Sequence, residues 1–241
     1  MWFRCGGVVL AGWLLAACTA MPLLTSEPDA TAPSQQGSLA DWEEFTLPGK
    51  RSTCYTPMVV DGQPVMHARS ESAASYLRRK VRREPADLGK VRFSWRVQEL
   101  IAAADLTDRD SADSPVRLML AFDGDHGRLS LRNRMVFDLA HAVTGETPPF
   151  ATLMYVWDNK APAESVIHSG RSDRVRKIVV ESGAGQLGRW RHYERDIAAD
   201  YRKTFGEEPG ALVSVGLMTD ADNTQSVAEA WYGEVQFGPW R

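Results

Sequence analysis

Along residues 91–98 the chain alternates with a period of two. Val91, Phe93, Trp95 and Val97 fall on one side, and Arg92, Ser94, Arg96 and Gln98 on the other. Successive side chains of a β-strand point to opposite faces, so this pattern predicts a strand with one face in a core and one in water. Val116, Leu118, Leu120 and Phe122 repeat it, but Met119 and Ala121 make the second face apolar too. That strand should be covered on both sides. Residues 150–157 (FATLMYVW) are almost continuously apolar, as a central strand would be. Stretches 175–180, 212–218 and 227–237 complete the strong set, and 42–46, 53–60, 65–69 and 75–81 are weaker strands.

Helical periodicity is sparse. The best case is 194–205, where Ile197, Tyr201 and Phe205 are spaced by four and Gly206 stands where a helix would stop. A shorter helix is expected over 134–143. About ten strands with few helices and Gly- or Pro-marked turns predict a mainly β protein. The expected architecture is an antiparallel two-sheet β-sandwich, jelly-roll-like, with one or two short helices.

The first residues read differently. Arg4 precedes a short apolar run, 8–15, which falls well below the roughly 20 residues that span a bilayer. Leu15-Ala16-Ala17-Cys18 resembles the bacterial lipobox. Residues 1–17 are therefore expected to leave as a lipoprotein signal peptide, with Cys18 acylated; an ordinary leader with an incidental cysteine is the other reading. Thr19 in place of Asp favours sorting to the outer membrane, where several acyl chains hold a protein stably. The sequence leaves open whether the domain faces the periplasm or the cell surface. Residues 18–40, rich in Pro, Ser, Thr, Ala and Gln, read as a flexible tether, and 41–241 as one domain.

With Cys5 in the leader and Cys18 acylated, Cys54 is left alone and no intramolecular disulfide forms. Its neighbours Thr53, Tyr55, Met58 and Val59 predict a half-buried structural thiol. Formal net charge is −3, and losing Arg4 makes it more negative. No basic excess is present to neutralise phosphates, which argues against a nucleic-acid partner.

Three clusters offer chemistry. Asp220-Ala221-Asp222-Asn223-Thr224 joins two strands and reads as a turn, a ligand-contacting loop or a calcium site, since calcium takes several hard oxygens. Asp108, Asp110 and Asp113 precede Arg117, giving either an internal ion pair that holds the loop or a pair of catalytic acids, Asp110 and Asp113. Trp157 and Trp190 could stack on sugar rings or fill the core. No Gly-x-Ser-x-Gly elbow occurs at Ser182, no His-Glu-x-x-His is present, and His67, His126, His141, His168 and His192 lack zinc spacing. No cofactor is expected, calcium being the one ion the oxygen donors would suit.

Several phrases in order resemble a known family. They include Leu47-Pro48-Gly49-Lys50 with Thr53 and Tyr55, Ser70-Glu71-Ser72-Ala73-Ala74-Ser75 and Ser94-Trp95-Arg96. Next come the acidic stretch 108–117, Tyr155-Val156-Trp157, and Arg195-Asp196 with Asp200-Tyr201 and Phe205-Gly206. The last is Thr219-Asp220-Ala221-Asp222-Asn223-Thr224 ahead of Ala230, Tyr232 and Gly233. This order resembles the bacterial family called domain of unknown function 3047. The resemblance implies an exported protein and carries no established activity or catalytic residues. An acidic Asn-Thr loop before an aromatic strand is also similar in form to sugar-binding β-sandwiches.

The expectation is a lipid-anchored domain that binds a glycan or another envelope component without catalysis. Asp110, Asp113, Arg117, Trp157, Asp220, Asp222 and Asn223 are the candidate contacts. The alternative is a polysaccharide hydrolase or lyase using carboxylates of the Asp108–Asp113 loop, and a purely structural lipoprotein is the third reading.

Overall fold

A computed structural model describes residues 41–240. The expected signal peptide, Cys18 and the tether lie outside the described residues. In chain order the strands begin with β1 (Glu43–Thr46), β2 (Cys54–Val60), β3 (Gln63–Glu71), β4 (Ala74–Arg83), β5 (Lys90–Val97) and β6 (Ser114–Phe122). Helix α1 (Leu131–Thr144) is followed by β7 (Ala151–Asp158), β8 (Val166–His168), β9 (Val175–Ser182) and β10 (Arg191–Asp196). Helix α2 (Ile197–Phe205) then precedes β11 (Leu212–Asp220), β12 (Val227–Tyr232) and β13 (Gln236–Gly238). No helix among them is long and apolar enough to cross a membrane.

Two sheets form, one ordered β1-β4-β11-β6-β7-β9-β8 and the other β10-β5-β12-β3-β2, with β13 also pairing β5. The expected sandwich is present, with one departure: β7 and β9 pair in parallel. β8 lies on the far side of β9, antiparallel to it, so the connection that carries β8 returns the chain in the same direction. The inward faces meet in a core that includes Trp95, Leu118, Phe122, Leu153, Tyr155, Trp157 and Tyr232. β6 is buried over its whole length, as its two apolar faces require. Phe93 lies 5.4 Å from Tyr155 and 5.1 Å from Tyr193, stacked on both, which ties the sheets together through aromatic faces.

Four differences from the sequence expectation have local causes. Glu194–Asp196 end a strand instead of opening a helix, because the Asp196 side chain caps α2 by accepting from the Ala199 N–H at 2.8 Å. β10 shows little apolar alternation because its outward residues, His192, Glu194 and Asp196, are polar and only Tyr193 of its inward ones is apolar. The stretch 227–237 breaks at Gly233, where a Cβ would lie 2.2 Å from the Ser94 hydroxyl. Cys54 is exposed rather than half-buried, because it shares the outward face of edge strand β2 with Thr56 and Met58.

Helix α1 is longer than expected and starts from Ser130, whose hydroxyl accepts from the Asn133 N–H. Of its apolar residues Phe137 is buried, whereas Leu131, Met135, Leu139 and Val143 are exposed. Helix α2 packs through Ile197 and Tyr201, with the Tyr201 ring 4.7 Å edge-on to Phe122. Beneath it the Tyr155 hydroxyl donates to Asp200, which also takes two bonds from Arg195.

Candidate functional site

Two concavities lie on opposite outer faces of the sandwich. One is a groove of about 640 Å³ on the six-stranded sheet. One wall is the tip of the β2–β3 hairpin, Val60 to Val65. Asp61 and Gly62 both take positive φ there (53° and 76°), the backbone of the tight Asp-Gly hairpin turn. The other wall comes from Trp190, His192 and Glu194 at β10, and the floor from Arg92, Phe93 and Ser94 of β5. The groove lies where β12 leaves the sheet at Gly233 before β13 returns to it, above the buried Phe93 ring and the half-buried Tyr193.

Beside this groove runs a stack of aromatic and cationic side chains. The Arg96 guanidinium lies 5.4 Å from the Trp190 ring centre and 4.6 Å from that of Trp231. His67 stacks on the far side of Trp231 at 5.0 Å and bonds Glu229 at 2.8 Å. Arg96, Trp231, His67 and Glu229 occupy the outward register of neighbouring strands, with Trp231 opposite both Arg96 and His67, and Trp190 directly precedes β10. Arg96 Nε is buried without a hydrogen-bond partner among the described residues. Glu194 accepts from Lys90 and Arg92, each at 2.6 Å. Those two bonds hold its carboxyl below its ordinary value. The groove therefore offers a ring face, amide groups from Gln63 and Gln236, cations and an ionised acceptor.

The second concavity, about 200 Å³, lies against the outer face of the seven-stranded sheet. It gathers Arg117, Asp220, Asp222 and Asn223 from the sequence candidates, together with Lys50 and Lys177. Arg117 donates to both Asp220 oxygens at 2.8 Å, and both residues are about 5% exposed. Arg117 thus pairs with Asp220 and not with a carboxylate of its own preceding loop, because β11 runs beside β6 and brings Asp220 opposite Ser114. Burial pushes the Asp220 carboxyl up, against the pull of Arg117. Asp222 is paired with Lys50.

Asp113 is 1% exposed and spent on structure: it accepts from the Asn223 and Thr224 N–H groups and the Thr224 hydroxyl, clamping the loop after β11. Asp110 stands apart, exposed, its N–H donating to Asp108 within the same loop. The two do not form a pair of facing acids. Trp157 is 1% exposed in the core, its indole N–H donating to the Gly183 carbonyl at 2.9 Å, so it offers no stacking surface. Oxygens of Asp113, Asp220 and Asp222 approach within 4.8 Å of one another. Their charge is already met by Arg117, Lys50 and backbone N–H groups.

Arg96, Trp231, His67, Lys50 and Lys177 were not among the candidate contacts, although Lys50 and Arg96 stand in the family phrases and His67 among the histidines that lack zinc spacing. For Arg96 and Trp231 the signal was present in the alternation, since each falls on the polar side of its strand. Lys177 gave none, because next to Arg176 it reads as one of two charged residues ahead of the apolar run Ile178-Val179-Val180 of β9.

No curated protein matches the chain in sequence. Among solved structures, a family 11 carbohydrate-binding module from Clostridium thermocellum, in complex with a β-1,3-1,4-mixed-linked tetrasaccharide, is similar at a TM-score of 0.40 and 10% identity. That match covers 86% of this chain and 92% of the module. The cellulose induced protein Cip1 gives 0.35 and 10%, covering 85% and 94%. A family 11 xylanase from Neocallimastix patriciarum gives 0.31 and 8%, covering 81% and 96%. Likeness this remote assigns neither activity nor ligand. Residues 40–236 match the profile of a protein family of unknown function, DUF3047, and the chain belongs to that family.

Proposed function

We propose that this protein binds a glycan of the bacterial envelope without cleaving it, and that Cys18 carries the lipid that holds it at the outer membrane. The single observation behind the binding reading is the groove on the six-stranded sheet, where the Trp190 ring stands beside a row of hydrogen-bonding groups. A sugar presents C–H groups on one face and hydroxyls around its edge. An aromatic wall meets the first, and Gln63, Gln236, Arg92, His192 and Glu194 meet the second. The volume accommodates a short stretch of chain rather than one ring.

The charge state of Glu194 supports binding over cleavage. A glycosidase acid needs a carboxyl held above its ordinary value so that it carries a proton to the leaving oxygen. Lys90 and Arg92 hold Glu194 in the opposite direction, which makes it an acceptor for sugar hydroxyls.

Affinity electrophoresis of the full chain in gels containing soluble β-glucan, mannan, xylan or solubilised peptidoglycan tests this reading. Retardation by at least one polymer is expected, with Trp190→Ala weakening it tenfold or more, in keeping with a stacked tryptophan anchor. Unretarded migration in every gel, or retardation that Trp190→Ala leaves unchanged, defeats the assignment.

A further inference from the structure

The smaller cavity on the seven-stranded sheet carries an excess of positive charge that its own carboxylates do not meet. Its lining includes Lys50, Arg109, Arg117, Arg171 and Lys177 against Asp220 and Asp222 alone. Arg117 pairs with Asp220, and Lys50 with Asp222. Arg109 and Arg171 are exposed at the rim and form no ion pair among the described residues. Lys177 is 5% exposed, and among the described residues its ammonium makes one hydrogen bond, to the Leu106 carbonyl at 3.2 Å. Two of its three donors are left over.

A buried ammonium beside a buried guanidinium is costly unless something negative lies between or near them. That cost is visible in Lys177, which burial and then Arg117 push down to about 8 even though the Asp220 and Asp158 carboxylates pull the other way. The remaining walls are apolar, from Leu106, Met154, Val175 and Met218. At roughly 30 Å³ for one water, about 200 Å³ holds a body the size of one hexose.

We infer that this cavity is a binding site for a small organic anion, a carboxylate or phosphate group on a hexose-sized body, with Lys177 as the buried anchor and Arg171 and Arg109 at the entrance. The anion completes the donors of Lys177 and offsets the repulsion between Lys177 and Arg117, while the apolar walls take the body. The site is independent of the Trp190 groove and lies on the other sheet.

Titration calorimetry and thermal melting of the full chain with glucuronate, glucose 6-phosphate and neutral glucose test it, ionic strength being held constant with sodium chloride. One or both anions should raise Tm while glucose does not; the anion that acts identifies carboxylate or phosphate. Lys177→Met and the rim variant Arg171→Gln should each weaken binding tenfold or more, and Trp190→Ala should leave it intact. The proposal is overturned if neither anion exceeds the chloride control, if glucose acts equally, or if a folded Lys177→Met binds as tightly as the parent. Loss of glycan retardation in Trp190→Ala with anion binding retained separates the two sites.

Discussion

Lys177→Met removes a charge from a place that solvates it poorly. The side chain is 5% exposed, and its ammonium is pushed from 10.5 down to about 8, first by burial and then by Arg117. The gap between those values corresponds to about 3 kcal/mol of disfavoured charge. Between pH 8 and 10.5 the unfolded chain keeps the proton that the folded chain has released, so stability rises with pH across that window. Below pH 8 the parent bears the full penalty. Methionine has similar length and no charge, but it gives up the bond to the Leu106 carbonyl, worth about 1 kcal/mol. The variant should therefore be more stable than the parent by about 2 kcal/mol at pH 7 and lose that advantage by pH 10.5. Urea unfolding followed by tryptophan fluorescence at pH 7, 9 and 10 measures the difference directly. A gap that stays constant with pH, or a variant less stable at pH 7, refutes the reasoning. A gain in stability together with loss of anion binding is the trade expected of a side chain kept for its ligand.

The two tryptophans should part company: Trp157→Ala is expected to cost about 3–5 kcal/mol of stability through the cavity it leaves, whereas Trp190→Ala should shift denaturant midpoints little and affect binding alone. Asp220→Leu strands the buried Arg117 and should cost about 3–5 kcal/mol, while the double variant Arg117→Met/Asp220→Leu should recover most of that loss in the same melts. The Glu164 carboxyl is drawn down to about 2, chiefly by hydrogen bonding from Arg195 and also from Lys203. Its contribution is thus present above pH 4.5 and lost as pH falls toward 2, and a carboxyl NMR titration of Arg195→Gln should show the midpoint moving up. On α1, Phe137→Ala should destabilise by about 3 kcal/mol or more, while Leu139→Lys, at a position 67% exposed, should change stability by no more than about 0.5 kcal/mol.

Most of the fold was legible because β-strands half-buried in a sandwich print their two faces into the sequence. β5 and β6 show this most clearly, one with a polar outer face and one buried throughout. β10 and β8 were hidden for physical reasons. β10 is an edge strand whose outer face carries charges, and β8 is only three residues long. The parallel β7–β9 pair depends on how a connection returns, which no periodicity records. Of the candidate contacts, Arg117, Asp220, Asp222 and Asn223 line one cavity, because β11 runs beside β6 and its following loop folds over the start of that strand. Trp157 and Asp113 were misassigned because a buried residue that satisfies its own polar groups looks, in sequence, like one held for a ligand. Lys177 needed the opposite inference, a charge with too few partners, and only the packed sheet reveals it.

The order of strands also governs when the molecule can exist. β11 lies between β4 and β6, which do not pair with each other, and β12 lies between β5 and β3. Each sheet thus closes on a strand from the last 30 residues of the chain. A polypeptide that emerges N-terminus first, from a ribosome or through a membrane channel, has its earlier strands in hand with a gap in both sheets. Pairing across that gap must wait for long-range closure, which makes folding slow and late. Such a chain stays threadable until its C-terminal strands arrive, and a truncation before Leu212 leaves two open sheets with unpaired inner edges.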